Sequence, residues 1–292
     1  VFLALLAYAQ QRHHWGEIFM SSIKGRRFLI RVCGGLALSL FAASCSPSAS
    51  TPNRSEDSAQ TVELTVSAAA SLQDVLEAIT PDFHAAYPTI DISYNFGASG
   101  ALQQQIEQGA PADVFFSAAA KQMDALADKG LIVKDSRQDV LTNSLVLIAP
   151  AQSQIAVTDI AQLKEAEVGV VAVGEFRSVP AGQYAEQVFT KLNLLEPLQS
   201  KLVFSNSVRG VLAAVESGNA DVGMVYATDA ALSERIKVLA TAPASTHQPI
   251  VYPIAIVSNS TNPDAAKTLI AFLQTPAAQT KFKKFGFGVV AP

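Results

Sequence analysis

The sequence predicts an α/β protein, with mostly parallel sheets and helices on both faces. Three observations carry that expectation. From Val62 onward, short apolar runs alternate with longer stretches. Those longer stretches place apolar residues at helical spacing. Four of the strand-to-helix junctions carry small or hydroxylic residues, the usual place for ligands in such sheets.

The elements follow in order. Apolar runs at 62–68, 90–95, 112–118, 144–150, 168–173, 221–227 and 252–258 read as strands. In 71–87 the residues Leu72, Val75, Leu76, Ile79 and Phe83 make one helical face. Pro81 is expected to kink or split that helix, because proline donates no backbone hydrogen bond. Leu102 and Ile106 give a short helix its apolar side. Tyr184, Val188 and Leu192 do so for 182–194, and Val211, Leu212 and Val215 for 208–217. Helices at 264–274 and 276–284 close the chain.

The 292 residues are 49% hydrophobic and 16% charged, enough for two globular units. Net charge is −4, and no basic run lies outside the N-terminal region, so nucleic acid is not an expected partner.

That N-terminal region reads separately. Residues 1–19 form no recognisable element, and Met20 is the expected translation start. Residues 20–44 carry Lys24, Arg26 and Arg27 before an apolar run, the pattern of a secretory signal. The run is short for a membrane span and is broken by Arg31. Small residues lead into Cys45, as at a lipoprotein cleavage box, so Cys45 is the expected lipid attachment point. Cleavage there removes five positive residues (Arg12, Lys24, Arg26, Arg27, Arg31) and one negative (Glu17), taking the charge from −4 to −8. It leaves one cysteine and no intrachain disulfide. Residues 45–61 then read as the lipidated cysteine and a polar, flexible tether.

The junctions "SAAASLQDV", "FGASGALQQ", "RSVPAGQYA" and "SNSVRGVLA" hold most of the functional information. Small residues let a ligand approach the backbone. A helix's first turn offers unpaired N–H groups and the positive end of its dipole. Together these suit an anion without any cationic side chain. Each junction also has a plainer reading. Ser71 with Asp74 spells a capping box. Ser99 could be an N-cap, Pro180 fits a first helical position, and Ser207 could cap with Arg209 solvated. Tyr226 could be ordinary core. Asp113 reads as a residue that fixes local structure. Gly97 and Gly100 read as clearance for a bound anion.

"FGASGA" also approaches the Gly-x-Ser-x-Gly elbow of hydrolases, with Ala101 in place of the second glycine. A secreted serine hydrolase using Ser99 is therefore an alternative. It needs a base, and beyond the signal only His84 and His247 are available, both expected on the surface. No metal-ligand spacing and no Walker or dinucleotide fingerprint occurs.

Read in order, "AAASLQDVL", "FGASGALQQQIEQGAPADVFFSA", "VPAGQYA", "SVRGVLAAVESGNADVGMVYATDA" and "FGF" resemble the periplasmic molybdate-binding proteins of ABC transporters. The resemblance spans about residues 62–290. It implies a type II periplasmic-binding-protein fold: two α/β lobes joined by crossing strands, with a ligand cleft between them. The crossings are expected near Leu145 and Tyr252. Lobe one is then 62–144 plus 252–292, and lobe two 145–251. The implied oxyanion contacts are the hydroxyls of Ser71, Ser99 and Tyr226 and the backbone N–H groups of Ala181 and Val208. Ala70 and Ala98 are possible further backbone donors. In "GEFRSVPAG" (174–182) the chain departs from the family's more usual Asp-Pro pair, and Arg177 puts a charge near the cleft rim.

The implied protein captures molybdate, and tungstate too, and delivers it to a permease in the membrane. It is a monomer of the periplasm or cell envelope, with no cofactor, no cation ligand and no catalysis. The chemistry agrees. Molybdate is an unprotonated tetrahedral dianion, so donors alone suit it, whereas monohydrogen phosphate also needs an acceptor. Sulfate shares the charge and shape, and a binder of another small oxyanion stands as the nearer alternative.

Overall fold

Two sheets carry the fold in the computed structural model, which describes residues 61–290. The expected start, signal, Cys45 and the tether up to residue 60 lie outside the described residues. β1 (Val62–Ala69) passes through a single 3-10 turn (Ala70–Leu72) into α1 (Gln73–Ala86). β2 (Ile90–Gly97) runs into α2 (Ser99–Glu107), and β3 (Val114–Phe116) is followed by α3 (Ala120–Asp128) and β4 (Gln138–Thr142). Then come β5 (Leu145–Pro150), β6 (Val171–Gly174), α4 (Pro180–Lys191), α5 (Leu195–Leu198) and β7 (Leu202–Ser205). α6 (Val208–Glu216), β8 (Val222–Tyr226), α7 (Ala227–Ala230) and β9 (Ile236–Thr241) complete that half. β10 (Val251–Ile256), α8 (Pro263–Leu273), α9 (Pro276–Lys284) and β11 (Gly288–Val289) follow.

The first sheet has the order β11-β4-β10-β3-β1-β2 and the second β7-β6-β8-β5-β9. The chain leaves the first sheet between Thr142 and Leu145 and returns between Thr241 and Val251. The α/β class holds, but the sheets are mixed rather than mostly parallel. β1 pairs in parallel with β2 and β3, as β6 does with β7 and β8. β10 runs antiparallel to β3 and β4, β11 to β4, and β5 to β8 and β9. The antiparallel strands β5 and β10 are the first strands after each passage between the sheets. They enter from the opposite direction to the strand-helix units.

The expected split of α1 at Pro81 and the expected length of β3 give way. Pro81 neither ends nor splits α1, which runs through it. Leu76, Ile79 and Phe83 hold that helix to the core. Pro81 itself and Glu77, four residues earlier, lie on the exposed side, where the freed carbonyl meets water. β3 is shorter than the run at 112–118. Asp113 just before it accepts the N–H of Thr65 at 2.8 Å and the hydroxyl of Ser260 at 2.5 Å, and so holds the strand entrance as expected.

Candidate functional site

Four helices begin at the facing edges of the two halves, and the residues at their entrances share one cavity. Its lining includes all seven residues singled out from the sequence: Ala70, Ser71, Ala98, Ser99, Ala181, Val208 and Tyr226. The cavity volume is about 10 Å3. That is room for about one water molecule. It is far below the roughly 300–1,000 Å3 of a pocket for an organic ligand. Ala69, Gly97, Ala118, Val179 and Pro180 make up the remaining wall, so no charged side chain faces the space.

Each entrance is built differently. Ser71 sits in the 3-10 turn, and Leu72, not Ser71, precedes the first residue of α1. The capping-box reading therefore fails: no side chain caps this helix, and Asp74 is drawn away to an arginine. The Ser71 hydroxyl lies 3.1 Å from the Tyr252 hydroxyl, which accepts from Asn143 Nδ2 at 3.1 Å. A hydroxyl has one hydrogen and two lone pairs. With Asn143 donating to Tyr252 and Tyr252 to Ser71, the Ser71 hydrogen is left to point into the cavity.

Ser99 is the first residue of α2 and Ala98 its N-cap, so Ser99 is not a capping side chain. Its Oγ is fully buried and accepts the Ala118 N–H at 3.0 Å. Its own hydrogen remains to be donated. Pro180 takes the first position of α4, as expected, and Ala181 presents its N–H one residue later. Ser207 caps α6 by accepting from the Gly210 N–H at 3.1 Å, which leaves the Val208 amide in the first turn. Amides in these positions have no intrahelical acceptor.

Tyr226 ends β8, and its hydroxyl donates to the Ala118 carbonyl at 3.3 Å, across the two halves. Burial pushes the phenols of both Tyr226 and Tyr252 well above their usual range. Both stay neutral; the single hydrogen of Tyr226 is given to the Ala118 carbonyl, so it reaches an anion only by leaving that bond. Ala118 and Tyr252 are the contributors that sequence reasoning missed. The small run "SAAA" (117–120) after β3 repeats the character of the first junction and could have flagged Ala118.

The halves touch across this cavity. The Gly100 N–H donates to the Ser178 carbonyl at 2.9 Å, and Gln122 Nε2 to Gln183 Oε1 at 3.2 Å. A Cβ on Gly100 would sit 2.5 Å from that carbonyl oxygen. A Cβ on Gly97 would meet the Leu102 side chain at 3.3 Å. Gly100 thus leaves room for the opposite half, while Gly97 lies in the cavity wall beside Leu102.

Arg209, read from the sequence as a solvated charge, is three-quarters buried. It lies 2.5 Å from Asp74 and 2.7 Å from Asp229. Asp229 is wholly buried, and burial raises its carboxyl to about 6 against the opposing pull of Arg209. Arg209 Nε is at ion-pair distance from Asp229 but not aimed for a hydrogen bond. Arg177 does reach solvent, beside Glu175 at 3.2 Å. His84 is exposed and pairs with Asp91 at 3.4 Å, and His247 contacts the Gln248 carbonyl at 2.7 Å. Neither histidine is the partner of Ser99, which is held by an amide.

Known proteins resemble this arrangement. Residues 64–288 match the family described as bacterial extracellular solute-binding protein. A Bacillus subtilis (strain 168) protein named as an ABC transporter substrate-binding lipoprotein, YvgL, is 43% identical over 85% of this chain and 93% of its own. The molybdate-binding protein ModA of Haemophilus influenzae is 40% identical, over 78% of this chain and 91% of its own. The solved periplasmic molybdate-binding protein of Azotobacter vinelandii superposes with a TM-score of 0.69 at 27% identity, covering 78% of this chain and 99% of that one.

Proposed function

Because the chain belongs to the bacterial extracellular solute-binding protein family, we propose that it binds molybdate, and tungstate as well, between two closing lobes and hands the anion to an ABC transporter permease. The lobes are residues 62–144 plus 252–292 and residues 145–251. The protein acts as a monomer outside the cytoplasm, held to a membrane through Cys45.

One observation carries the reading. Two serines, a neutral tyrosine and first-turn residues of separate helices line one small cavity whose wall holds no charged residue. Such a site offers donors and no carboxylate acceptor, so it suits an unprotonated tetrahedral dianion. Ser71, Ser99 and Tyr226 supply hydroxyls, and Ala181 and Val208 supply N–H groups, with Ala70 and Ala98 as further backbone donors. Charge-assisted hydrogen bonds contribute about 1.5–3 kcal/mol each, so a handful sustains tight binding after the cost of ordering. The Ser99 hydrolase reading gains nothing, since His84 pairs with Asp91 and His247 with the Gln248 carbonyl, leaving Ser99 without a histidine base.

Isothermal titration with molybdate, tungstate, sulfate and phosphate tests the proposal. Molybdate and tungstate are expected to bind at concentrations where sulfate and phosphate give no heat. Heat from sulfate or phosphate alone would overturn it.

A further inference from the structure

Resting on that two-lobed, anion-binding reading, we propose that Arg209 is a positioning residue that latches the closed protein by bridging a buried carboxylate of its own half to Asp74 of the other. Among the described residues, Arg209–Asp74 is the ion pair that joins the two halves. Asp74 lies on α1, beside the first sheet. Arg209 lies on α6 and Asp229 on α7, beside the second.

The two contacts of the guanidinium differ in kind. Asp229 has no exposed surface, and its pairing with Arg209 Nε stays within one half, so it persists however the halves move. Asp74 keeps 42% of its side chain exposed. When the halves part, its carboxylate and the outer Arg209 nitrogen can both regain water. The outer contact is therefore breakable at low cost, and the inner one fixes where the guanidinium waits.

Arg209 also directly follows Val208, the first residue of α6, which lines the cavity. A cation in the first turn of a helix opposes the helix dipole, and the buried Asp229 offsets this. Bridging two carboxylates needs the planar fork of arginine, which lysine does not reproduce.

The test compares wild type, Asp74→Asn and Arg209→Lys by stopped-flow molybdate release, with thermal midpoints of the anion-free proteins. Asp74→Asn leaves the Arg209–Asp229 contact in place, so folding should be unaffected. A partly exposed pair of this kind supports roughly a three- to five-fold faster release in both variants, at an unchanged association rate. In about 1 M salt, where screening acts within about 3 Å, the variants and wild type should converge. Equal release from wild type and Asp74→Asn at low salt overturns the latch. So does a loss of anion-free stability as large as the loss of affinity, which marks a plain structural contact. If wild type takes up none of the four anions, the proposed function fails instead. Small-angle scattering then decides the latch: Asp74→Asn must give a larger radius of gyration than wild type at low salt, and an equal radius overturns it.

Discussion

Gly100→Ala should separate closure from folding. The added Cβ would lie 2.5 Å from the Ser178 carbonyl oxygen, 2.7 Å from its Cα and 3.0 Å from its carbonyl carbon. All three are backbone atoms, so no rotamer change relieves them. Ser178 is also pinned, because Glu175 Oε2 accepts its N–H at 2.8 Å and its hydroxyl at 2.7 Å. The halves must therefore stay apart. That forfeits the Gly100–Ser178 hydrogen bond, about 0.5–1.5 kcal/mol, and weakens at least one anion contact of about 1.5–3 kcal/mol. The sum is at least about 2 kcal/mol, or roughly a 30-fold loss of molybdate affinity. Helix propensity acts the other way, since alanine favours a helix over glycine by up to about 1 kcal/mol. Calorimetry should thus show weak binding in a protein whose anion-free thermal midpoint is unchanged or raised. Affinity within about three-fold of wild type would refute the reasoning, because the contact between α2 and the loop before α4 would then play no part in binding.

Two further outcomes follow from the same geometry. Ser99→Ala should lose about 10- to 100-fold in affinity, since a charge-assisted donor goes. It should also lose about 1–3 kcal/mol of stability in urea unfolding, because the buried Ala118 N–H loses its acceptor; unchanged stability would count against that bond. Asp229, raised from 3.8 to about 6, binds its proton more tightly folded than unfolded. Its contribution is therefore complete below about pH 4 and is lost as pH rises through about 6, a fall of about 3 kcal/mol. Asp229→Asn should remove that slope from urea unfolding measured between about pH 4 and 7, and parallel profiles for the two proteins would contradict it.

Most strands were legible in the sequence, the edge strand β2 among them, but the interior strand β4 and the edge strands β7, β9 and β11 were not. β8, between β6 and β5, is buried throughout and shows a continuous apolar run, whereas β1, between β2 and β3, alternates Val62, Leu64 and Val66 with Glu63, Thr65 and Ser67. β7 and β9 are edge strands, with Val203, Phe204 and Val238 each about half exposed. A register shift between Leu147 and Ile148 also breaks the alternation that would have marked β9. The mixed sheet direction escaped because periodicity says nothing of which way a strand runs.

At the site, four entrances were visible because small and hydroxylic residues cluster where a strand meets a helix. What lay beyond reach was long-range. Ser71 meets Tyr252 across 181 positions, and Arg209 meets Asp74 across 135. A local pattern such as Ser-x-x-Asp reads as a cap until a distant partner claims both of its side chains. Gly100 is another case, since its missing side chain makes room for a backbone carbonyl of the other half.

Anomalous diffraction at the molybdenum edge, from crystals grown with molybdate, tests the central claim most directly. The account predicts one strong peak in the cavity between Ser71, Ser99, Ala181, Val208 and Tyr226. The anion oxygens should lie about 2.7–3.1 Å from those hydroxyls and amides. A peak elsewhere on the protein, or none in that cavity at saturating molybdate, would contradict it.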